Sequence, residues 1–309
     1  MIAPVVVLAG GTGGAKLARG MADVVGDDAL VVIANTADDV EVYGAHVSPD
    51  PDLVSFWLAD RIDERGWGLA GDTFQVMDQL RALGRAVWFN LGDRDLAIGI
   101  ERARRLAEGA RLTEAIAELG RALEVPGRVL PMCDEPVRTR VRAHERAWDF
   151  QEWMILGRGA GPIEDVAFDG IDAARPTPEV LDALARARAI VIGPSNPVVS
   201  IGPILAVPGM REALRAADAP VVAVSPIVGG EVLKGPTAAC LAWAGQPASA
   251  GGVAALYGEL LDGIVADERL PPELEIALPL LETDLLMADG AGRQRLARET
   301  LAFATALAG

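Results

Sequence analysis

The run GGTGGAKL, Gly10 to Leu17, follows the apolar stretch PVVVLA (Pro4–Ala9) and opens an amphipathic segment ending near Val25. An apolar strand, a glycine-rich turn and then a helix constrain the fold more than any other feature of the chain. Glycines at a helix start leave backbone N–H groups bare, the geometry in which a helix N-terminus meets a phosphate. The spacing fits neither familiar fingerprint. A Walker loop needs Gly, four residues, then Gly-Lys-Ser/Thr, whereas Lys16 follows Ala15 and precedes Leu17. A G-x-G-x-x-G motif starting at Gly11 would need glycine where Lys16 stands. The turn therefore reads as a phosphate cradle of a third kind, built from Gly10, Gly11, Thr12, Gly13 and Gly14, with Lys16 just inside the helix.

Short apolar runs alternate with helical patterns along the chain. Pro4–Ala9, Leu30–Asn35, Ala86–Asn90, Ala189–Gly193 and Pro220–Val224 have strand composition, and each runs into a loop rich in Gly, Pro, Asn, Asp or Ser. Ala15–Val25, Leu53–Glu64, Thr73–Leu83, Leu96–Glu108, Thr113–Leu123, Pro178–Ala187, Met210–Ala216 and Ala291–Ala308 carry helical periodicity. Apolar strands without alternation are covered on both faces. This predicts an α/β fold, a Rossmann-like parallel sheet flanked by helices. Ligands of such sheets sit beyond the carboxyl ends of the strands, where the polar loops converge. Arg128 to Ile155 reads instead as a meander of RVLPM, the period-two VRTRVRA and a run containing FQEWMIL. A smaller α+β region at about 94–175 is therefore expected, inserted into a single domain spanning 1–309.

The formal charge of −16, from 44 acidic and 28 basic residues, argues against nonspecific nucleic-acid or anionic-lipid binding, which needs positive charge to displace counterions. It also requires local donors or a cation to hold any phosphate, and Mg2+ is the natural one. Cys133 and Cys240 lack metal-ligand spacing and read as reduced, buried thiols of a cytoplasmic protein. His46 and His144 are too few for a histidine-based zinc site. Pro194, Pro197, Pro203 and Pro208 interrupt the apolar stretch Ala189–Met210, so no membrane span is expected there. Met1–Ala9 lacks the basic start of a secretory signal.

The loops after the strands carry the polar chemistry. Asp38, Asp39, Glu41, Asp50 and Asp52 crowd the segment after the second strand, an arrangement that a bound cation relieves. Asp38 and Asp50, each opening an acidic loop segment, are the candidate metal ligands, while Asp52 reads as a helix cap. Asp93, in LGDRDL, is either the cap of a helix beginning near Leu96 or a cleft residue. Prolines on both sides hold Ser195 and Asn196 in a stiff turn, where their side chains suit a ribose, phosphate or base. Gly229, Gly230 and Lys234 offer a second anion site. Neither histidine nor cysteine has the neighbours of a nucleophilic centre, which leaves phosphate chemistry by positioning.

The segments GGTGGAKL, NTADD, SPDPD, LGDRDL, PMCDEPVRTRV, FQEW, GPSNPVVSIGPIL and SPIVGGEVLKGP, in this order, resemble the 2-phospho-L-lactate transferases (CofD family) of deazaflavin coenzyme F(420) biosynthesis. The resemblance implies transfer of a phospholactyl- or phosphoenolpyruvyl-type group from a GDP-linked donor to the ribityl hydroxyl of a deazaflavin precursor, with GMP leaving. It also implies magnesium and a homodimer. By the same likeness, Gly10, Gly11, Thr12, Gly13, Gly14 and Lys16 hold the donor diphosphate, while Asn35, Ser195 and Asn196 contact its nucleoside. Asp50 lies between donor and acceptor as the catalytic carboxylate, Asp38 helps to hold the metal, and Asn90 contacts the precursor, with Asp93 nearby. The chain departs from the family pattern at Ala37, usually glycine, at Pro51 in SPDPD, and at Asn90, where many members carry Arg or Lys.

Two rivals share parts of this pattern. Nucleotide-sugar-binding regulators of the gluconeogenesis-factor type have a similar glycine loop and Asn/Asp-rich second loop, but FQEW, LGDRDL and SPDPD favour the transferase. A nicotinamide-dependent dehydrogenase would carry an acidic residue where Asn35 stands.

Overall fold

The structure is a computed structural model that describes residues 2–267 and 278–308. Among the described residues, seven strands form one sheet: β1 (Val5–Ala9), β2 (Leu30–Ala34), β3 (Arg128–Pro131), β4 (Ala189–Ile192), β5 (Val221–Val224), β6 (Gly263–Ala266) and β7 (Leu280–Glu282). Their order is β7-β6-β5-β4-β1-β2-β3, and every neighbouring pair is parallel. Apart from the outermost β7, this is the 3-2-1-4-5-6 order of dinucleotide-binding sheets. The chain leaves β1 towards β2 and β3, then returns on the other flank to β4. The order reverses between β1 and β4, and the loops after these strands border a crevice at the carboxyl edge.

Both sheet faces are covered, as the unbroken apolar runs require. Val5, Val7 and Ala9 pack with Leu17 and Met21 of α1 (Gly11–Val25), with Val54 and Trp57 of α2 (Pro49–Leu58), and with Leu296 and Leu301 of the C-terminal helix Gly290–Leu307. Val6 and Leu8 face the opposite core, with Val180, Leu184, Ile204, Met210 and Val253. Gly20 lets α1 and the C-terminal helix approach closely, because a Cβ there would stand 2.4 Å from the Arg293 carbonyl oxygen. No helix among the described residues is long and apolar enough to cross a membrane.

Three expected elements differ. Ala86–Asn90 is not a strand but an irregular segment, with Phe89 N–H donating to the Tyr43 hydroxyl at 3.2 Å; its Trp88 and Phe89 side chains line the cleft described below. Arg128–Pro131, expected to begin the meander, instead pairs parallel with β2 at the edge of the main sheet. FQEWMIL holds a helix, Phe150–Ile155, because Phe150, Trp153 and Met154 recur at helical spacing and pack into one cluster. The period-two VRTRVRA does form a strand, Arg138–Ala143, between antiparallel partners Arg146–Asp149 and Ile163–Asp169.

Gly20→Ala tests the helix contact. Alanine favours helix by roughly 0.5–1 kcal/mol over glycine, but its methyl would overlap a backbone carbonyl, which costs roughly 1–3 kcal/mol. The expected result is a lower urea midpoint with an unchanged m-value. A midpoint that rises would show that the two helices separate without cost.

Candidate active site

The loops that follow β1, β2, β4, β5 and β7 open into one cleft of about 930 Å³. Gly10, Gly11, Thr12, Gly13, Lys16, Asp38, Asp50, Asn90, Ser195 and Asn196 line it; Gly14, Asn35 and Asp93 do not. The cradle begins with Gly10 in an extended conformation and Gly11 at φ 63°, a left-handed turn into α1. A Cβ on Gly13 would stand 2.0 Å from the Pro194 carbonyl oxygen, and one on Gly14 would stand 2.5 Å from Ser195 Oγ. These two glycines therefore serve the contact between the loops after β1 and β4. Gly10 N–H closes that contact by donating to Ser195 Oγ at 3.1 Å.

Asp50 lies in the first turn of α2, which starts at Pro49 rather than Leu53. Its Oδ1 accepts from Gly11 N–H at 2.6 Å, and its Oδ2 accepts from Asn35 Nδ2 at 3.0 Å. Burial pushes the Asp50 carboxyl up to about 6, against both hydrogen bonds, with the Asp39 charge adding to the rise. Asp38 rises well above the usual carboxylate range through burial first, then the Asp50 charge, while Asn35 and Thr139 oppose the shift. Asn35 is fully buried, its Oδ1 accepting from Ala37 N–H at 2.9 Å. Asn35 thus makes internal contacts that orient Asp50. Two buried carboxylates beside bare amides suit a hard divalent ion that completes its shell with water and phosphate oxygens. Among the described residues no group of three or more His, Cys, Asp or Glu side chains is arranged to hold a metal.

The other acidic residues have separate duties. Asp39 accepts from Ser48 Oγ at 2.7 Å and contacts His46 Nε2 at 2.9 Å, so serine and histidine share one carboxylate and form no relay. Asp52 is not a cap: it makes a two-pronged ion pair with Arg102, which is 1% exposed and also donates to the His46 carbonyl at 2.9 Å. Asp95 lines the cleft and is pushed up to about 7 by burial, then by the Asp52 and Asp72 charges. Asp93 neither lines the cleft nor caps its own helix. It accepts from the Gln75 and Val76 amides at 3.0 Å, capping helix Gln75–Ala82. Asp72 returns the arrangement by accepting from the Arg94 and Asp95 amides of helix Asp93–Ala107.

The loop after β4 is braced by its own side chains. Asn196 Oδ1 accepts from Val198 and Val199 N–H, and its Nδ2 donates to Thr237 Oγ1 at 3.3 Å. Asn90 lies at the exposed rim and accepts from Arg81 Nη2 at 2.6 Å, so a guanidinium stands beside it although the position itself is neutral. Lys234 lines the same cleft as Lys16, giving one site rather than two. Gly229 and Gly230 turn the hairpin Ile227–Val228/Glu231–Val232, and Gly229 N–H is taken by Asp267 at 2.7 Å. The Gly229 amide is therefore already committed to a carboxylate.

Sequence reasoning missed the apolar wall. Trp67, Phe74, Trp88 and Phe89 line one side of the cleft, and Phe150, Met154 and Ile155 line another. The Arg65 guanidinium stands 4.3 Å from the Trp67 ring centroid and 5.6 Å from that of Phe74. Trp67 is 51% exposed and sits between Gly66 and Gly68, both at positive φ. A tryptophan in a glycine-rich, charged segment was the available signal, since no core can form around it.

The profile of one family, 2-phospho-L-lactate transferase CofD, matches residues 5–287. The chain is 42% identical over 312 residues to a phosphoenolpyruvate transferase of Kitasatospora aureofaciens, covering 97% of each. It is 39% identical over 265 residues to a 2-phospho-L-lactate transferase of Methanosarcina mazei, covering 85% of this chain and 87% of that one. Among solved structures, a UPF0052 family protein of Bacillus halodurans has a similar fold, with a TM-score of 0.61 at 17% identity over 97% of this chain and 99% of that one. A profile match reaching from β1 to the loop before the C-terminal helix, together with such relatives, means that the protein belongs to the CofD family of 2-phospho-L-lactate transferases and is a transferase of coenzyme F(420) biosynthesis.

Proposed function

We propose that the cleft transfers a phospholactyl- or phosphoenolpyruvyl-type group from a GDP-linked donor to the ribityl hydroxyl of the deazaflavin precursor Fo (7,8-didemethyl-8-hydroxy-5-deazariboflavin), releasing GMP. The observation that carries this reading is the position of Asp50, in contact with the Gly11 amide of the cradle and beside Asp38. At about 930 Å³ the cleft is near the upper end of the usual range for small-molecule sites, which suits two substrates bound together. The names of the two relatives above motivate both donors, since one is a phosphoenolpyruvate transferase and the other a 2-phospho-L-lactate transferase.

In this reading the Thr12 and Gly13 amides receive the donor diphosphate at the start of α1, with Lys16 at the edge of that cradle. Asp38 and Asp50 hold Mg2+, whose charge offsets that of the diphosphate and of the leaving GMP. Ser195 and Asn196 border the nucleoside, and the aromatic wall with Arg65 takes the flat ring of the acceptor. The hydroxyl oxygen attacks the phosphorus that bears the three-carbon acid. Its bond to that phosphorus forms as the bond to the bridging oxygen breaks, and that oxygen leaves with GMP. Asp50 orients the hydroxyl and accepts its proton.

Turnover, ligand binding, a variant and thermal stability test the reading. Purified protein with Fo, Mg2+ and each donor should yield GMP and an Fo adduct one phosphoacid heavier, read by mass spectrometry. Tight calorimetric binding of a UDP-sugar with no turnover would instead mark a binding regulator. Asp50→Asn should lower kcat by about 10²–10⁴-fold, the usual worth of a placed general base, with an unchanged circular dichroism spectrum. Near-normal kcat would remove Asp50 from the chemistry.

The last test is thermal. The folded-state value for Asp50, about 6, lies above its ordinary 3.8, so its contribution to stability is greatest below 3.8 and is lost as pH rises through about 6. Asp38 shifts in the same direction. A cation between them offsets the loss only where both are ionised. Mg2+ with GDP should therefore raise Tm more at about pH 7.5 than at about pH 5. An equal rise at both values would detach these carboxylates from the metal.

A further inference from the structure

The cleft is lined by the cationic side chains Lys16, Arg65 and Lys234. Arg65 is ion-paired with Asp63. Neither Lys16 nor Lys234 has a carboxylate partner among the described residues. The Lys16 ammonium is half-buried; it donates to the Met287 carbonyl at 3.3 Å and stands 5.5 Å from the Trp57 ring centroid. Arg293 approaches the same ring to 5.2 Å. Lys16 is lowered from its ordinary value by burial first, then by the charges of Lys234 and Arg293, so both of these cations lie within electrostatic reach of Lys16. Bringing like charges together without a counter-ion is unfavourable, and it is notable in a chain of net charge −16. An anion between them reverses the sign of that interaction.

We propose that Lys16 and Lys234 form a subsite for the carboxylate of the three-carbon acid on the donor. This rests on the transferase reading above and adds to it the group that decides which donors are accepted. The diphosphate already has the α1 amides and the cation held by Asp38 and Asp50. The carboxylate, common to lactyl, enolpyruvyl and glyceryl donors, is the remaining negative charge that needs a partner. Lys234 comes from the loop after β5 and Lys16 from α1, and both line the cleft. An ammonium pair recognises a carboxylate as a charge and leaves the carbon chain loosely specified, which accommodates all three acids.

Lys234 is exposed, so its replacement leaves the core untouched. Lys234→Met and Lys234→Arg are compared with the unaltered protein, using the free-acid donor, its neutral carboxamide analogue and GDP alone. Lys234→Met should lower kcat/KM for the free acid by about 10- to 100-fold, the usual loss when a charge-assisted contact is removed. It should leave the carboxamide and the Kd for GDP within about twofold, and Lys234→Arg should recover most of the loss. A parallel loss of GDP affinity would assign the lysine to phosphate and overturn the proposal, as would an unchanged kcat/KM. Absence of turnover by the unaltered protein with every donor would overturn the transferase reading and this subsite together. Turnover without discrimination between acid and carboxamide would overturn the subsite alone.

Discussion

The bridge made by the Asp50 carboxylate between Gly11 N–H and Asn35 Nδ2 holds the carboxyl edge of the sheet together. It joins the loop after β1, the loop after β2 and the first turn of α2 through one buried side chain. Two forces oppose each other there. Burial disfavours the charge, while a backbone amide and a side-chain amide favour it, and burial wins to the extent of a value near 6. With Asp38 displaced in the same direction by burial first and then by the Asp50 charge, the floor of the cleft is a pair of buried carboxylates. Amides complement anions and carboxylates complement cations. In the proposed reaction, a diphosphate with its divalent ion would satisfy both at once, and neither alone would.

What keeps that bridge in register lies outside the cleft. Arg102 is almost wholly buried, yet it binds Asp52 with two prongs and the His46 carbonyl with one of the same nitrogens. It thereby fixes helix Asp93–Ala107 to the hairpin Ala45–Val47 and to the turn of α2 that carries Asp50. A buried ion pair adds little net stability over apolar packing, but loss of one partner costs about 3–5 kcal/mol. Its effect is to exclude alternative placements of α2. The paired caps Asp72 and Asp93 act similarly on the aromatic side, where each carboxylate caps the helix adjoining the other. The irregular segment that carries Trp67 and Phe74 is thus pinned at its far end by hydrogen bonds rather than by a sheet.

The parallel sheet and its cradle were legible in sequence because both depend on local pattern. β1, β2, β4 and β5 are apolar runs ending at loops, and the glycines of GGTGGAKL announce a helix start. Local pattern failed where burial had a different cause. Ala86–Asn90 is apolar because it faces a cleft, and Arg128–Pro131 is short because it closes an edge. β6 and β7 escaped notice: the first is a brief GIVA and the second is half-exposed. Among site residues, Asp38, Asp50, Ser195 and Asn196 do converge, since strand-end loops must meet on one side of a parallel sheet. The commitments of Asn35, Asp52 and Asp93 to internal partners were not legible, because each partner is distant in sequence or belongs to another helix. The side-chain type gave the chemistry but not the address.

The same separation explains how a strongly acidic chain can hold an anionic ligand. Net charge acts at long range, where ions screen it within about 8–10 Å. Within the cleft, short-range donors decide: the amides at the start of α1, the two lysines on its edge and any cation drawn by Asp38 and Asp50. The acidic exterior therefore does not oppose binding at contact distance, although it slows the approach of a free anion. A donor already neutralised by a divalent ion escapes that barrier. In the proposed reaction, charge neutralisation would therefore precede docking, and the carboxylate floor that repels a bare diphosphate would attract its metal complex.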